Sequence, residues 1–297
     1  MDRASVPGTD ISLSRLGFGL APLGGRVGRA ESLRLLERAF DAGITHFDTA
    51  RSYGYGQVES VLGDFLERHR DEVTVTTKLG ITPPPDSSGF RAAKSLARAV
   101  TRVAPGARRL LRRGGQRMVS GGRFSAAEAR ESLETSLREL RVDRVDLLLL
   151  HECSPEDLHS DGLLGFLDEA VREGKVGRYG IGTDPASTAA ILRESPGSAG
   201  VVQIANSAVA PNLESLDVPP ESAVITHTPL GGLSELTDEV ASLMLAYALW
   251  SNPRGAVLFG STDEAHIEAN VAVAENFAYD PDQLRRFAQQ VRSSQGR

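Results

Sequence analysis

Four side chains of this sequence have types that can act together on a carbonyl group: Asp48, Tyr53, Lys78 and His151. A phenol keeps its proton until about pH 10. A lysine ammonium beside it stabilises the phenolate and lowers that value. A carboxylate beside the lysine keeps the lysine charged and in place. A histidine across the pocket can donate a hydrogen bond to a substrate carbonyl. Together they make a general acid that protonates an alkoxide as it forms. None of the four donates a hydride, so a reduction by this set needs a cofactor. Each also has a plainer reading alone: a strand-closing carboxylate, a packing aromatic, a rim lysine and a strand-end histidine. The coherence of the four favours the chemistry.

The elements that must position them follow from hydrophobic periodicity. Strands are expected at 14–20, 44–49, 73–78, 145–150, 176–181, 201–205, 223–227 and 256–259. Amphipathic helices are expected at 29–42, 58–69, 125–140, 161–173, 236–250, 263–275 and 281–292, with one more opened by Asp184 and Pro185. Ser125 and Glu128 form a capping-box pattern, and Asp184-Pro185 reads as a helix cap followed by a first-turn proline. Eight strands, most followed by a helix, predict an α/β fold, a single (β/α)8 TIM barrel spanning 1–297. An open doubly wound sheet is the alternative, and no G-x-G-x-x-G follows a strand to support it. In such barrels the active site lies at the C-terminal strand ends. Those ends carry Asp48 with Tyr53 just beyond, then Lys78, His151, Thr183-Asp184, Gln203, Asn206, His227-Thr228 and Gly260-Ser261-Thr262.

The segment Phe47-Asp-Thr-Ala-Arg-Ser-Tyr-Gly-Tyr-Gly-Gln-Val-Glu-Ser-Val-Leu-Gly63 closely resembles the aldo-keto reductase signature. Thr77-Lys78 and Leu150-His151 stand where that family has its lysine and histidine. The resemblance runs from about Leu13 to Asn276, broken by a basic insert. It implies reversible carbonyl reduction with a nicotinamide cofactor, usually NADPH. It makes Tyr53 the general acid, Lys78 and Asp48 its supports and His151 the carbonyl-orienting residue, with no metal.

The resemblance also implies a cofactor site: Gly19, Thr183, Asp184, Gln203, His227, Thr228, Leu230, Gly260, Ser261, Thr262, His266 and Asn270. The family usually holds the nicotinamide carboxamide with a Ser-Asn pair and a Gln. Here the pair is Thr183-Asp184, whose carboxylate cannot donate as an amide does. His227 stands where a tyrosine often stacks. Many NADPH-using relatives have a lysine and an arginine where this chain has Gly260 and His266. NADPH remains the implied cofactor, and NADH stays open. The loop after the seventh strand, from Pro229, is shorter than the family's usual one.

The chain has 297 residues, 40% hydrophobic and 24% charged, with a net charge of −6. That composition excludes a mainly disordered chain. The acidic balance argues against general nucleic-acid binding. One cysteine, Cys153, excludes an intrachain disulfide and suits a cytoplasmic setting. No apolar run reaches the roughly 18 residues of a membrane span, and Met1 to Thr9 shows no apolar signal segment.

One stretch departs from this balance. From Ser87 to Ala127 there is no acid, while Arg91, Lys94, Arg98, Arg102, Arg108, Arg109, Arg112, Arg113, Arg117 and Arg123 supply ten bases. The insert, 82–124, follows the third strand at the active-site face. It reads either as a solvated flap or as a lid for an anionic small-molecule carbonyl substrate. Nucleic-acid or membrane contact is a lesser alternative, and the oligomeric state is left open. Two rivals to a reductase remain: a barrel that keeps cofactor as a redox sensor or scaffold with negligible turnover, and a barrel lyase or isomerase.

Overall fold

A computed structural model describes residues 1–23, 27–83, 123–233 and 236–295. Two short strands, β1 (Arg3–Ser5) and β2 (Ser12–Ser14), pair antiparallel ahead of the barrel. Eight parallel strands then close on themselves: β3 (Leu16–Gly19), β4 (His46–Asp48), β5 (Thr74–Leu79), β6 (Val145–His151), β7 (Val176–Gly182), β8 (Val201–Ala205), β9 (Ala223–His227) and β10 (Ala256–Phe259). β10 pairs with β3 to complete the ring. The described helices are α1 (Arg29–Asp41), α2 (Val58–His69), α3 (Ala126–Leu140), α4 (Leu163–Arg172), α5 (Pro185–Glu194), α6 (Asp238–Ser251), α7 (Glu264–Glu275) and α8 (Pro281–Gln295). The (β/α)8 barrel expected from the periodicity is therefore present.

Parallel strands with helices outside are covered on both faces, and β6 shows the result: Val145 to Leu150 are all buried. Alternation along the strands separates two cores. One lies between strands and helices, around Phe18, Phe47, Phe65, Leu148 and Leu150. The other fills the barrel itself, with Leu147, Leu149, Val201, Ile225 and Leu258. Val6 and Leu13, from the hairpin region, join that inner core and plug the barrel's N-terminal end. Three-residue strands carry too little period to be read, so the hairpin was not expected from the sequence.

The Ser125–Glu128 capping box forms in both directions at the start of α3. α6 opens at Asp238, capped by Thr237, two residues later than the apolar pattern suggests. No α-helix separates β8 from β9; a single 3-10 turn, Asn212–Ser215, takes its place. Ten residues, 228–237, link β9 to α6. The basic insert falls almost entirely on residues 84–122, which lie outside the described residues. Of its ten bases only Arg123 is described, and its guanidinium pairs with Glu128 at 2.7 Å. Among the described residues no helix is long and apolar enough to cross a membrane, and no group of three or more His, Cys, Asp or Glu could hold a metal ion.

Candidate active site

β4, β5 and β6 are neighbours in the barrel, so their C-terminal ends bring Asp48, Lys78 and His151 together. Asp48 lies opposite Thr76, and Lys78 lies two residues further along the same face. The Lys78 ammonium has three N–H donors. They point to Asp48 Oδ1 at 2.5 Å, the Thr49 carbonyl at 2.9 Å and the Tyr53 hydroxyl at 3.4 Å. The ammonium also lies 5.0 Å from the Tyr53 ring centroid. His151 meets Tyr53 edge to face, with centroids 5.9 Å apart. The structure thus brings all four residues into one cluster at the barrel mouth.

The rest of the signature segment shapes the loop that carries Tyr53. Tyr53–Gly56 form a 3-10 turn in which Gly54 and Tyr55 take left-handed backbone angles. The Glu59 carboxylate, fully buried on α2, accepts from Thr77 on β5 at 2.6 Å and from Arg51 at 3.2 Å. That pairing ties the loop to both elements. A Cβ on Gly63 would lie 2.4 Å from the Glu139 carbonyl, so α2 and α3 approach too closely for any side chain there.

The electrostatics follow from burial and from who faces whom. Burial alone would lower the Lys78 pKa, but Asp48, then Tyr53, outweigh it and hold the amine above its ordinary value, so it is charged. Burial raises the Tyr53 phenol above its ordinary value, and Lys78 pulls it back only in part. This corrects the expectation that lysine would leave the phenol easier to ionise overall. Much of the lysine's charge is already matched by Asp48, so desolvation of the phenolate wins. Burial first and the Lys78 charge second push His151 down to about 3, leaving a neutral ring. Its Nδ1 is buried and has no hydrogen-bond partner. Burial also pushes His227 down to about 4. Cys153 is a buried thiol pushed up to about 12, and so stays protonated.

The candidate cofactor residues divide into two groups. At the mouth, Thr183 is buried and its hydroxyl donates to the Cys153 carbonyl at 2.8 Å, leaving its lone pairs to accept. Gln203 is buried and donates through Nε2 to Asp48 Oδ2 at 2.7 Å, a contact not foreseen from the sequence. His227 feels the charges of Asp48 and Lys78 and binds the Thr228 hydroxyl through Nδ1 at 2.8 Å. Thr228 has φ 60, strained for a β-branched residue. Gly19 lies opposite Asp48 in the β3–β4 register. Asp184 accepts from the Ala186 and Ser187 amides at 2.9 and 3.1 Å as the cap of α5. Asp184 therefore does structural work, whatever else it meets. Leu230 packs half-buried against the apolar cluster around Tyr247.

The second group lies where β10 runs into α7. The Ser261 hydroxyl accepts from the Asp263 amide at 3.0 Å, and Asp263 caps the helix by accepting from Ala265 at 2.9 Å. The Asp263 carboxylate thus already serves part of the N-terminal end of α7. Thr262 and His266 are exposed and Asn270 is half-buried. The nearby α1 cations are engaged by acids of α7: Arg34 with Glu264 at 3.0 Å, and Arg38 with Glu268.

Gly260 has a steric reason of its own. A Cβ there would stand 2.7 Å from Pro22 Cγ and 2.8 Å from the Gly19 carbonyl. Gly260→Lys would supply a cation for a phosphate, but it must first displace that backbone. It is expected to cost about 1–3 kcal/mol, read as a lowered midpoint in denaturant unfolding. Unchanged stability would show that the turn is free to open.

The structure is thus a closed (β/α)8 barrel with a buried Asp48–Lys78–Tyr53 cluster and a neutral His151 ring at its mouth. The sequence matches the profile of the Aldo/keto reductase family over residues 15–217. The chain belongs to that family, whose members use nicotinamide cofactors on small-molecule carbonyl compounds. The match ends before His227 and the 260–270 segment. It is 40% identical over 82 residues to the pyridoxal 4-dehydrogenase of Microbacterium luteolum, covering 27% of this chain and 24% of that protein. It is 35% identical over 181 residues to the D-threo-aldose 1-dehydrogenase of a Pseudomonas species, covering 58% of this chain and 51% of that protein. The chain thus spans about a quarter and about half of those two lengths. In fold it is similar to an aldo-keto reductase from Klebsiella pneumoniae in complex with NADPH, with TM-score 0.71 and 20% identity over 98% of this chain and 96% of that one.

Proposed function

We propose that this chain interconverts an aldehyde or ketone with its alcohol, using a nicotinamide cofactor and Tyr53 as general acid and base. The observation that carries this reading is the buried Lys78 ammonium, held by Asp48 and aimed at the Tyr53 hydroxyl. The cofactor, when bound, supplies the hydride. In reduction, the Tyr53 hydroxyl gives its proton to the carbonyl oxygen as negative charge develops there. The phenolate left behind faces the Lys78 ammonium. In oxidation the same phenolate takes the alcohol's proton. The neutral His151 ring has no acceptor at Nδ1, so we assign its proton to Nε2, from which it can bond the carbonyl oxygen. A raised phenol pKa keeps Tyr53 protonated across neutral pH. Reduction therefore holds up to alkaline pH, and oxidation rises as the phenol ionises.

The residues present fit a nicotinamide at the barrel mouth. The Gln203 amide, the Thr183 hydroxyl and the His227 ring offer a donor, an acceptor and a stacking face beside the four. At the adenosine end the candidate contacts are Gly260 to Thr262, His266 and Asn270, with no lysine or arginine among them. We favour NADPH on the family's habit, with a modest margin over NADH because the described α1 cations Arg34 and Arg38 are already paired with Glu264 and Glu268. Titration of reduced-nicotinamide fluorescence with NADPH and NADH tests this reading. Both should bind, with a ratio of dissociation constants well below about a thousandfold. Binding of neither would remove the reading.

For the substrate we favour an anionic carbonyl compound, attracted by the basic residues 91–123. Glu152 and Asp184 act against this at the rim. Glu152 is held above the ordinary carboxylate range by desolvation and by Asp184. Neutralising Arg91, Arg98 and Arg102 to Gln should raise KM for an acidic aldehyde severalfold and leave KM for a neutral one in place. The effect should fade as salt rises, because screening sets in over about 8 Å at 0.15 M. Equal changes for both substrates would assign the segment a steric role instead.

A further inference from the structure

Gln203 meets more than a cofactor. It stands on β8, across the barrel from β4, and its side chain is buried at the mouth with Asp48 and Lys78. Its Nε2 donates to Asp48 Oδ2 at 2.7 Å, while Asp48 Oδ1 takes the Lys78 ammonium at 2.5 Å. The carboxylate is therefore held from both sides, by a cation on one oxygen and an amide on the other. Resting on the functional reading above, we infer that Gln203 is a positioning residue for proton delivery: it fixes the second oxygen of Asp48 and so sets the direction in which Asp48 holds Lys78 against Tyr53.

Three observations support this role. First, the Lys78–Tyr53 contact is the longest of the three that the ammonium makes, at 3.4 Å against 2.5 and 2.9 Å. A small rotation of the Asp48 carboxylate thus decides whether that contact tightens or is lost. A carboxylate bound at one oxygen can swing about its Cβ–Cγ bond, and a second bond stops the swing. Second, Gln203, Asp48 and Lys78 are only 4%, 3% and 2% exposed, so bulk water does not replace a missing donor there. Third, among the described residues no other side chain reaches Oδ2. His46, on the same strand and face as Asp48, turns its ring nitrogens to Thr74 and Thr76 instead. The Gln203 amide keeps a second N–H and its carbonyl oxygen for other contacts. One side chain can therefore serve Asp48 and a nicotinamide together.

The test uses the full chain and two variants. Gln203→Leu removes the donor. Gln203→Glu keeps the shape but sets a carboxyl against Asp48, which keeps the test usable if the first variant folds poorly. Tyr53 ionisation is followed in the cofactor-free protein by ultraviolet absorbance of tyrosinate, each variant being compared with its own Tyr53→Phe counterpart. Gln203→Leu should move that ionisation upward by about half a pH unit or more, because the Asp48 charge loses a compensating dipole. It should lower kcat for carbonyl reduction severalfold. Gln203→Glu should be poorly active at neutral pH and recover on acidification, when the introduced carboxyl gains a proton and donates where the amide did. A raised dissociation constant for the cofactor, with unmoved Tyr53 titration and pH profile in both variants, would overturn the inference and make Gln203 a cofactor contact alone. A lower melting temperature with no other change would equally overturn it. An unaltered protein that reduces no carbonyl compound would sink the functional reading, and the cofactor-free titration would still decide the role of Gln203.

Discussion

Tyr53→Phe is expected to lower kcat for carbonyl reduction by about 10²–10⁴-fold, the range that a positioned general acid contributes. The substitution removes one oxygen and keeps the ring. The edge-to-face contact with His151 survives, so the fold around the site should too. The Asp48–Lys78 pair also survives, because it does not pass through Tyr53. Cofactor affinity should stay within a factor of about two or three, since the phenol delivers a proton and holds no part of the proposed cofactor site. Steady-state rates beside a fluorescence titration separate the two quantities. Retention of more than about a tenth of kcat would remove Tyr53 as the proton donor.

Lys78→Met has the second large effect, and it differs in kind. The phenolate loses the only cation that touches it among the described residues, so Tyr53 ionises at still higher pH. For alcohol oxidation the phenolate is the base, and activity rises with pH through the Tyr53 pKa. The acidic limb of that profile should therefore move upward, and kcat near neutral pH should fall by orders of magnitude. Stability should fall as well. Asp48 would keep Gln203 but lose its ion partner in a buried site, a change that costs about 3–5 kcal/mol. The pH dependence of that loss has a definite sign. The folded-state pKa of Lys78 lies above its ordinary value, so its contribution is fully present below about pH 10. It fades only as the pH rises through the folded value. A mutant with an unshifted oxidation profile would leave Lys78 as a buried partner of Asp48 without influence on the phenol.

The barrel was legible because buried parallel strands are written as apolar runs, and 145–150 is the clearest of them. The four central residues were legible for a different reason. Register places Asp48, Lys78 and His151 at three adjacent strand ends, and the sequence shows where those strands stop. What stayed hidden depends on contacts across the barrel or on short elements. The β1–β2 hairpin has three residues per strand, too few for a pattern. The Gln203–Asp48 bond joins residues 155 positions apart, and no local signal encodes it. The direction of the Tyr53 shift could not be read from residue types, because it depends on how far burial outweighs a lysine already paired with Asp48. In the sequence Gly260 stands out as a missing cation; in the fold it is first a residue with no room for a side chain. The sequence allows Asp184 to be a substituted amide or a helix cap, and the structure shows the cap.

The most direct test is steady-state consumption of NADPH and NADH by the purified chain against a panel of aldehydes and ketones, acidic and neutral, with the alcohol product quantified. The account predicts carbonyl-dependent oxidation of the reduced cofactor, one alcohol formed per cofactor consumed, and loss of that turnover in Tyr53→Phe. Tight cofactor binding with no turnover on any carbonyl, or turnover that survives Tyr53→Phe unchanged, would contradict it.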